Sequence, residues 1–455
     1  MRKIRAGKAL VQDGWATDVD VEIAETGHIA SIGPASGVAD QTVDVLLPAP
    51  TNLHSHSFQR AMAGLTEARG PNASDSFWTW RRLMYRFLQQ LSPEHIEAIA
   101  SLVFMEMAEA GYAAVAEFHY LHHAADGQPY DNIAELAERI AAAAERVGFG
   151  LTLLPVHYEF GGCDGRPLAG GQTRFGNTKD RFATLHEASR SVVASGPADW
   201  TIGVAPHSLR AVDTDGLRMA QALVPDGPFH MHLAEQVAEV EEVEAHMGAR
   251  PVEWVLGNLP VKPGNCFIHC TQMTPDETAG LAASGAVAGL CPITESSLGD
   301  GIFDGVDYTA ARGAFGVGSD SNIHITFWDE LKTLEYSQRL RDKGRAMLAT
   351  EEKSTGRVLL DGAVAGGALA AGRSSGRLQE GMWADMMAIS TENEFLCNRD
   401  ADTTIDSLIF SGGGQRCVTD VWSAGRHVVS QGRHSKRDEI VGTFVAAIRD
   451  LEQNI

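Results

Sequence analysis

Val45-Leu46-Leu47-Pro48-Ala49-Pro50-Thr51-Asn52-Leu53-His54-Ser55-His56 is an apolar run that ends in a His-x-His pair. Side chains alternate faces along a strand, so His54 and His56 point to one side and can grip a single metal ion at the strand's end. Further along, single His and Asp residues stand near the ends of other short apolar runs. His232 lies in Phe229-His230-Met231-His232-Leu233-Ala234-Glu235, His269 in Phe267-Ile268-His269, and Asp320 in Gly316-Val317-Gly318-Ser319-Asp320-Ser321. Three histidines and a carboxylate gathered by strand ends make a zinc site that activates water.

The same theme recurs through the middle of the chain: a short apolar run, a polar residue at its end, then a helical stretch. Eight such runs occupy 45–56, 112–120, 150–158, 201–208, 229–235, 266–271, 286–294 and 314–321. Strands alternating with helices predict parallel βα units. Near-continuous apolar character is that of strands covered on both faces. Eight units predict an α/β fold built on a closed (β/α)8 TIM-like barrel, with its active site at the strands' C-terminal ends. Helix signals agree: Ser92-Pro93-Glu94 opens a periodic stretch to Ala110 before Gly111, and Asp131 to Arg146 precedes Gly148. Gln236 to Met247 stops at Gly248, and Pro275-Asp276-Glu277 opens a helix ending near Gly285.

The two ends read differently. Residues 1–44 and 373–434 carry short alternating segments, among them Asp20–Ile23, His28–Gly33, Ala384–Ile389 and Val418–Val429. They read as antiparallel strands with turns, and the simplest packing joins them into one small β-sandwich domain built from both termini. The expected division is 1–46 for the N-terminal part of that domain, 47–372 for the barrel, 373–434 for its C-terminal part, and 435–455 for a last helix.

Bulk properties exclude several classes. Lys and Arg total 37 against 59 Asp and Glu, a formal charge of −22, which argues against nucleic acid or an anionic membrane as partner. A small anionic substrate stays compatible where arginines cluster locally. No run approaches the roughly 18 apolar residues of a membrane span. The basic start Met1–Arg5 leads into polar Gly14–Asp18, unlike a secretory signal. Six cysteines without disulfide-framework spacing read as reduced thiols of a cytoplasmic protein. Cys266 and Cys270, which bracket His269, read as small buried residues.

Several residues carry two readings. His230 shares its face with His232, but His232 is nearer the strand's end and is followed by Glu235, so His232 is the expected ligand. Glu235 can exchange protons between attacking water and leaving group, or be an N-terminal charge of the helix that follows. Asp320 can hold the water and take its proton, or cap the next helix. His269 can bind metal or polarise developing charge.

Together, His-x-His on the first run, His on the fifth and sixth, and Asp on the eighth resemble the amidohydrolase superfamily over essentially the whole chain. The exit segment Gly376–Asp385 looks like that of its deaminase branch. Four segments look closer still to the family of formiminoglutamate deiminases: Asn52–Gly64, Asp75–Arg81, Ala116–Tyr120 and His207–Val212. The resemblance implies one zinc ion per subunit, held by His54, His56, His232 and Asp320. Two-metal relatives use a lysine at the fourth strand's end, and the run 201–208 has none. It further implies Glu235, His269 and Asp320 as catalytic residues, and Gln59, Arg81, Tyr120, His207 and Arg210 as substrate ligands. The substrate would be a small dicarboxylate bearing a formimino group, hydrolysed to N-formyl-L-glutamate and ammonia in histidine degradation. Arg suits bidentate capture of carboxylates, and Phe77, Trp78 and Trp80 beside Arg81 read either as a cover that excludes water or as loop packing. A homodimer is the base-rate expectation. The alternatives are another aminohydrolase of the branch, acting on guanine, cytosine, adenosine or a triazine, and a non-catalytic scaffold, which would have shed metal ligands that are all present here.

Overall fold

A computed structural model describes residues 1–65, 67 and 84–452 of the chain. Each of the eight runs contains a strand: Thr51–Ser55, Ala114–His119, Gly150–His157, Thr201–Ile202 with Ala205–Pro206, Phe229–Leu233, Asn265–His269, Val287–Leu290 and Ala314–Val317. All pair in parallel. They form two sheets, one from Thr51–Ser55 to the 201–206 segment and one from Phe229–Leu233 to Ala314–Val317. Single parallel bridges join the sheets at both seams, Val204 to Phe229 and Ser55 to Asp320. Helices intervene between the strands, and the strand residues are almost entirely buried, as parallel strands between covered faces are.

Helix ends follow the local chemistry. Ser92 caps Pro93–Glu109: its hydroxyl accepts from the His95 amide, and its own amide donates to His95 Nδ1. Gly148, Gly248 and Gly285 take left-handed C-cap conformations after Glu135–Val147, Val237–Met247 and Pro275–Ser284. The second of the expected helices starts at Glu135 rather than Asp131, because the Asn132 side chain holds a turn by accepting from the Ala134 amide.

The terminal strands form one eight-stranded sheet. Its order is Arg433–His434, Arg426–Ser430, Val418–Ser423, Met386–Ile389, Gln41–Pro48, Arg2–Val11, Gly14–Ile23, Ile29–Pro34. The chain's two ends meet where Met386–Ile389 pairs with Gln41–Pro48. Two features depart from expectation. Arg2–Val11 and Gln41–Pro48 are parallel, not antiparallel. Helices Asp402–Phe410 and Gly414–Cys417 interrupt the C-terminal strands. The first apolar run also divides at Ala49-Pro50: Gln41–Pro48 belongs to the terminal sheet and Thr51–Ser55 to the parallel one. Ile4, Val21, Leu46, Met386 and Trp422 are buried together in the terminal sheet's own core. The last helix, Arg437–Glu452, packs on Pro93–Glu109. No helix among the described residues is long and apolar enough to cross a membrane.

Candidate metal centre and active site

His54 and His56 owe their placement to a slip in strand register. Asn52 pairs with Val115, but Ser55 pairs with Glu117, so one extra residue is accommodated between them. The apolar side chain here, Leu53, fills space left by two glycines: a Cβ at Gly289 or Gly316 would meet its methyls at 2.9 and 2.4 Å. The eighth strand closes against the first through a third. A Cβ at Gly318 would lie 2.6–2.8 Å from the backbone and Cβ of His54. The Asp320 amide donates to His54 O, and the His56 amide donates to Asp320 O, both at 2.9 Å. Asn52 Nδ2 donates to Ser319 Oγ (2.6 Å), Ser319 Oγ donates to Asn322 Oδ1 (2.6 Å), and Asn322 Nδ2 donates to Ser55 Oγ (3.1 Å). Five non-glycine residues at these strand ends hold left-handed backbones: Ala234, His269, Cys270, Asp320 and Asn322, with φ of 52°, 73°, 52°, 46° and 55°. Such strain persists only where the surroundings over-determine it.

Four donor atoms converge. His54 Nε2 lies 3.2 Å from His232 Nε2 and 3.5 Å from Asp320 Oδ1, and His56 Nε2 lies 3.3 Å from the same oxygen. Donors bound tetrahedrally at about 2.0–2.1 Å stand about 3.3 Å apart, so the set fits one small divalent cation. The far nitrogens agree: His56 Nδ1 bonds Phe118 O and His232 Nδ1 bonds His207 O, each at 3.0 Å. Donating there, each ring turns its lone pair toward the centre. Burial pushes the His54 imidazolium down to about 3, aided by His56, and lowers His56 and His232 as well. Neutral imidazoles are the ligating form. Burial alone would raise Asp320, but the bond to His54 and the nearby His56 and His269 outweigh it and hold the carboxyl well below its usual range. Phe118 packs against the rings of His54, His56 and His232 at 5.0, 5.2 and 4.4 Å.

His269 stands beside this set. Its Nε2 is 3.8 Å from Glu235 Oε1 and 3.9 Å from Asp320 Oδ2, and its Nδ1 is 3.3 Å from Glu295 Oε1. Burial disfavours its charge, but Glu235, Glu295 and Asp320 prevail and push it up to about 10. Glu235 is raised, chiefly by burial and by Glu239, against the pull of His269 and Arg210. Neither acid plays the role of a helix cap: Gln236 precedes Val237–Met247, and Thr326 caps Phe327–Asp342. His230 is buried and bonds Ala370 O at 2.8 Å instead. Cys266 and Cys270 are buried.

A cleft beside this cluster is lined by Gln59, Tyr120, His207 and Arg210. Gln59 Nε2 donates to Tyr120 OH at 2.8 Å, while Gln59 Oε1 is buried with no partner among the described residues. His207 packs edge-on against Tyr158 and lies 4.8 Å from the His232 ring. Arg210 is half-buried near Glu239, Glu235 and Glu242, and its buried Nε makes no hydrogen bond among the described residues. Arg81, with Arg82, Phe77, Trp78 and Trp80, lies outside the described residues. Sequence reasoning passed over Phe118, Tyr158, Glu295, Arg166 and the Asn52–Ser319–Asn322 chain. Phe118 and Tyr158 carried a signal, standing at strand ends in the second and third runs. Glu295 on the short helix Pro292–Leu298, Arg166 on a loop lining the cleft, and the chain paired only across the seam carried none.

A strand-end cluster of this kind on a parallel α/β scaffold defines a class, and the chain belongs to the amidohydrolase family, whose model matches residues 45–428. Residues 1–42 match the model of the N-terminal domain of the formimidoylglutamate deiminase HutF. The formimidoylglutamate deiminase of Pseudomonas aeruginosa is 44% identical over 455 residues, 99% of this chain and 100% of that one. The crystal structure of an amidohydrolase from Brucella melitensis superposes with a TM-score of 0.94 at 48% identity, covering 99% of this chain and 100% of that one. An adenosine deaminase from Xanthomonas campestris, solved with bound zinc, gives 0.82 at 21% identity over 99% and 98%, a likeness of fold.

Proposed function

We propose that this chain hydrolyses N-formimino-L-glutamate to N-formyl-L-glutamate and ammonia, with one zinc ion held by His54, His56, His232 and Asp320. The observation that carries the reading is the likeness, over nearly the whole length, to a formimidoylglutamate deiminase. The converging donors described above support the metal. We further propose that the two parallel sheets close at their bridged seams as a (β/α)8 barrel over 47–372. Residues 1–46 and 373–434 then fold as a small β-sandwich, and 435–455 close the chain.

Bound there, zinc supplies the Lewis acidity that makes water a nucleophile near neutral pH. Asp320 accepts the water's proton as the oxygen bonds to the formimino carbon. His269, held charged by its acidic neighbours, donates to the developing negative charge. Glu235 carries a proton to the imino nitrogen, the C–N bond breaks, and ammonia leaves while the carbonyl of the formyl group forms. Arg210 and Arg81 hold the two carboxylates, and Gln59, Tyr120 and His207 orient the formimino end. The buried, unpartnered Gln59 Oε1 and Arg210 Nε suit a ligand that completes their bonding. The reaction belongs to histidine degradation in a cytoplasmic setting.

The test is ammonia release by zinc-loaded protein from N-formimino-L-glutamate, with guanine, cytosine and adenosine alongside. Turnover of the first alone is expected. Turnover of a nucleobase or nucleoside instead would keep the metal centre and overturn the substrate.

A further inference from the structure

We propose that Glu295 is a positioning residue that fixes the aim of His269; the inference rests on the catalytic role read for His269 above. Glu295 is buried, as is His269. One oxygen, Oε1, lies 3.3 Å from His269 Nδ1 and 2.8 Å from the Cys291 amide, which donates to it. A carboxylate oxygen fixed by a backbone amide and shared with a ring nitrogen takes a proton on that nitrogen as its partner. His269 therefore gives its Nδ1–H to Glu295, and its Nε2–H is left facing Glu235 and Asp320 across the cleft. Orientation matters here because only one ring nitrogen can face the cleft. The His269 ring stacks on His232 at 5.7 Å, a contact that leaves a flip of the ring open. The Glu295 contact, at 3.3 Å, is within hydrogen-bond distance of one nitrogen, while Glu235 and Asp320 lie 3.8 and 3.9 Å from the other.

The element carrying Glu295 is itself braced. Pro292–Leu298 follows the seventh strand directly. The Ile293 amide donates to Glu330 Oε2 at 2.9 Å. Thr294 Oγ1 lies 2.9 Å from Ser321 Oγ, next to Asp320. The carboxylate thus stands on a turn tied both to the following helix layer and to the eighth strand's loop. A side chain that merely filled space would need none of these ties. The partner arrangement matches the general habit of carboxylates that orient catalytic or ligating imidazoles from behind, where loss costs about 10- to 100-fold.

The experiment is a double-mutant cycle on zinc-loaded enzyme turning over N-formimino-L-glutamate. Glu295→Leu is expected to lower kcat about 10- to 100-fold, with KM and zinc content near wild type. Glu295→Gln, which keeps an acceptor oxygen, is expected to recover most of that loss. In a His269→Ala background, Glu295→Leu is expected to cost nothing further. A full Glu295→Leu penalty in that background, a rise in KM instead of a fall in kcat, or loss of a metal equivalent would overturn the proposal; the last would point to a second ion among His269, Cys291 and Glu295. A His269→Ala variant with normal turnover would instead sink the role of His269 itself. Should Glu295→Leu fail to fold, nitrogen-15 spectra of histidine-labelled wild-type enzyme decide the matter: a protonated Nδ1 at His269 is expected, and a bare Nδ1 overturns it.

Discussion

Asp320 joins backbone and side chain in one place: its amide and carbonyl bridge to His54 and His56, and its Oδ1 sits among their Nε2 atoms. Asp320→Asn keeps the shape and removes the charge. It is expected to lower zinc content and to cut kcat by about 10³-fold or more, since a ligand and a proton acceptor go together; metal analysis beside turnover checks both. Glu235 lies outside the donor set. Glu235→Gln is expected to keep its zinc and its KM while kcat falls about 10²–10⁴-fold, and a variant that lost metal instead would mark Glu235 as a ligand. Arg210→Lys retains a cation but not the planar fork. KM is expected to rise about 10- to 100-fold, with kcat changed far less, as steady-state kinetics will read. His54, His56, His232 and Asp320 were legible in the chain because strand ends and donor chemistry coincide there. Phe118 was not, because an aromatic at a strand end looks like any core residue until three imidazoles are found around it.

The elements that hold these residues depend on what the glycines leave out. Gly318→Ala puts a methyl into the backbone of His54. A loss of about 1–3 kcal/mol is expected, with weaker zinc retention, measured by denaturant unfolding and dialysis against a chelator. A wild-type-like result would mean that the eighth strand can back away from the first. Periodicity and turn signals revealed the eight parallel strands and most helix ends, because burial on both faces and capping are local properties of the chain. They gave the direction of the terminal strands less well. The parallel pairing of Arg2–Val11 with Gln41–Pro48 arises from a chain that leaves through Gly14–Ile23 and Ile29–Pro34 and returns on the first strand's other side, and no short-range pattern encodes that path. The helix Asp402–Phe410 was missed for a similar reason: it is short, and its neighbours on both sides alternate like strands. The ties between Asn52 and Ser319 span 267 positions, a distance over which sequence reading has no grip.

Across the whole molecule, one buried ion network binds the terminal sheet to the parallel sheets. Arg373 bridges Asp199 and Asp385 at 2.9 and 2.6 Å, and Arg426 adds a second contact to Asp199 at 2.7 Å. Arg373→Met would leave two buried carboxylates facing each other and is expected to cost about 3–5 kcal/mol. Burial alone would raise the Asp199 carboxyl, but Arg426 and Arg373 outweigh it and hold it below its ordinary value. A carboxyl depressed in the folded state contributes stability above its unfolded pKa of about 3.9. That contribution fades as acid carries the pH down through the folded value. The stability gap between wild type and Asp199→Asn is therefore expected to be full at pH 6 and to narrow below pH 4, by urea unfolding across that range; a gap independent of pH would assign the effect to packing. The seam between first and eighth strands has a consequence for how the protein comes into being. Synthesis supplies His54 and His56 early, His232 midway and Asp320 late, and Asp320 reaches the others only when its strand lies down beside the one made first. A chain released before that point holds three imidazoles and no complete centre, so tight metal binding would report that the eighth strand has been made and has closed against the first.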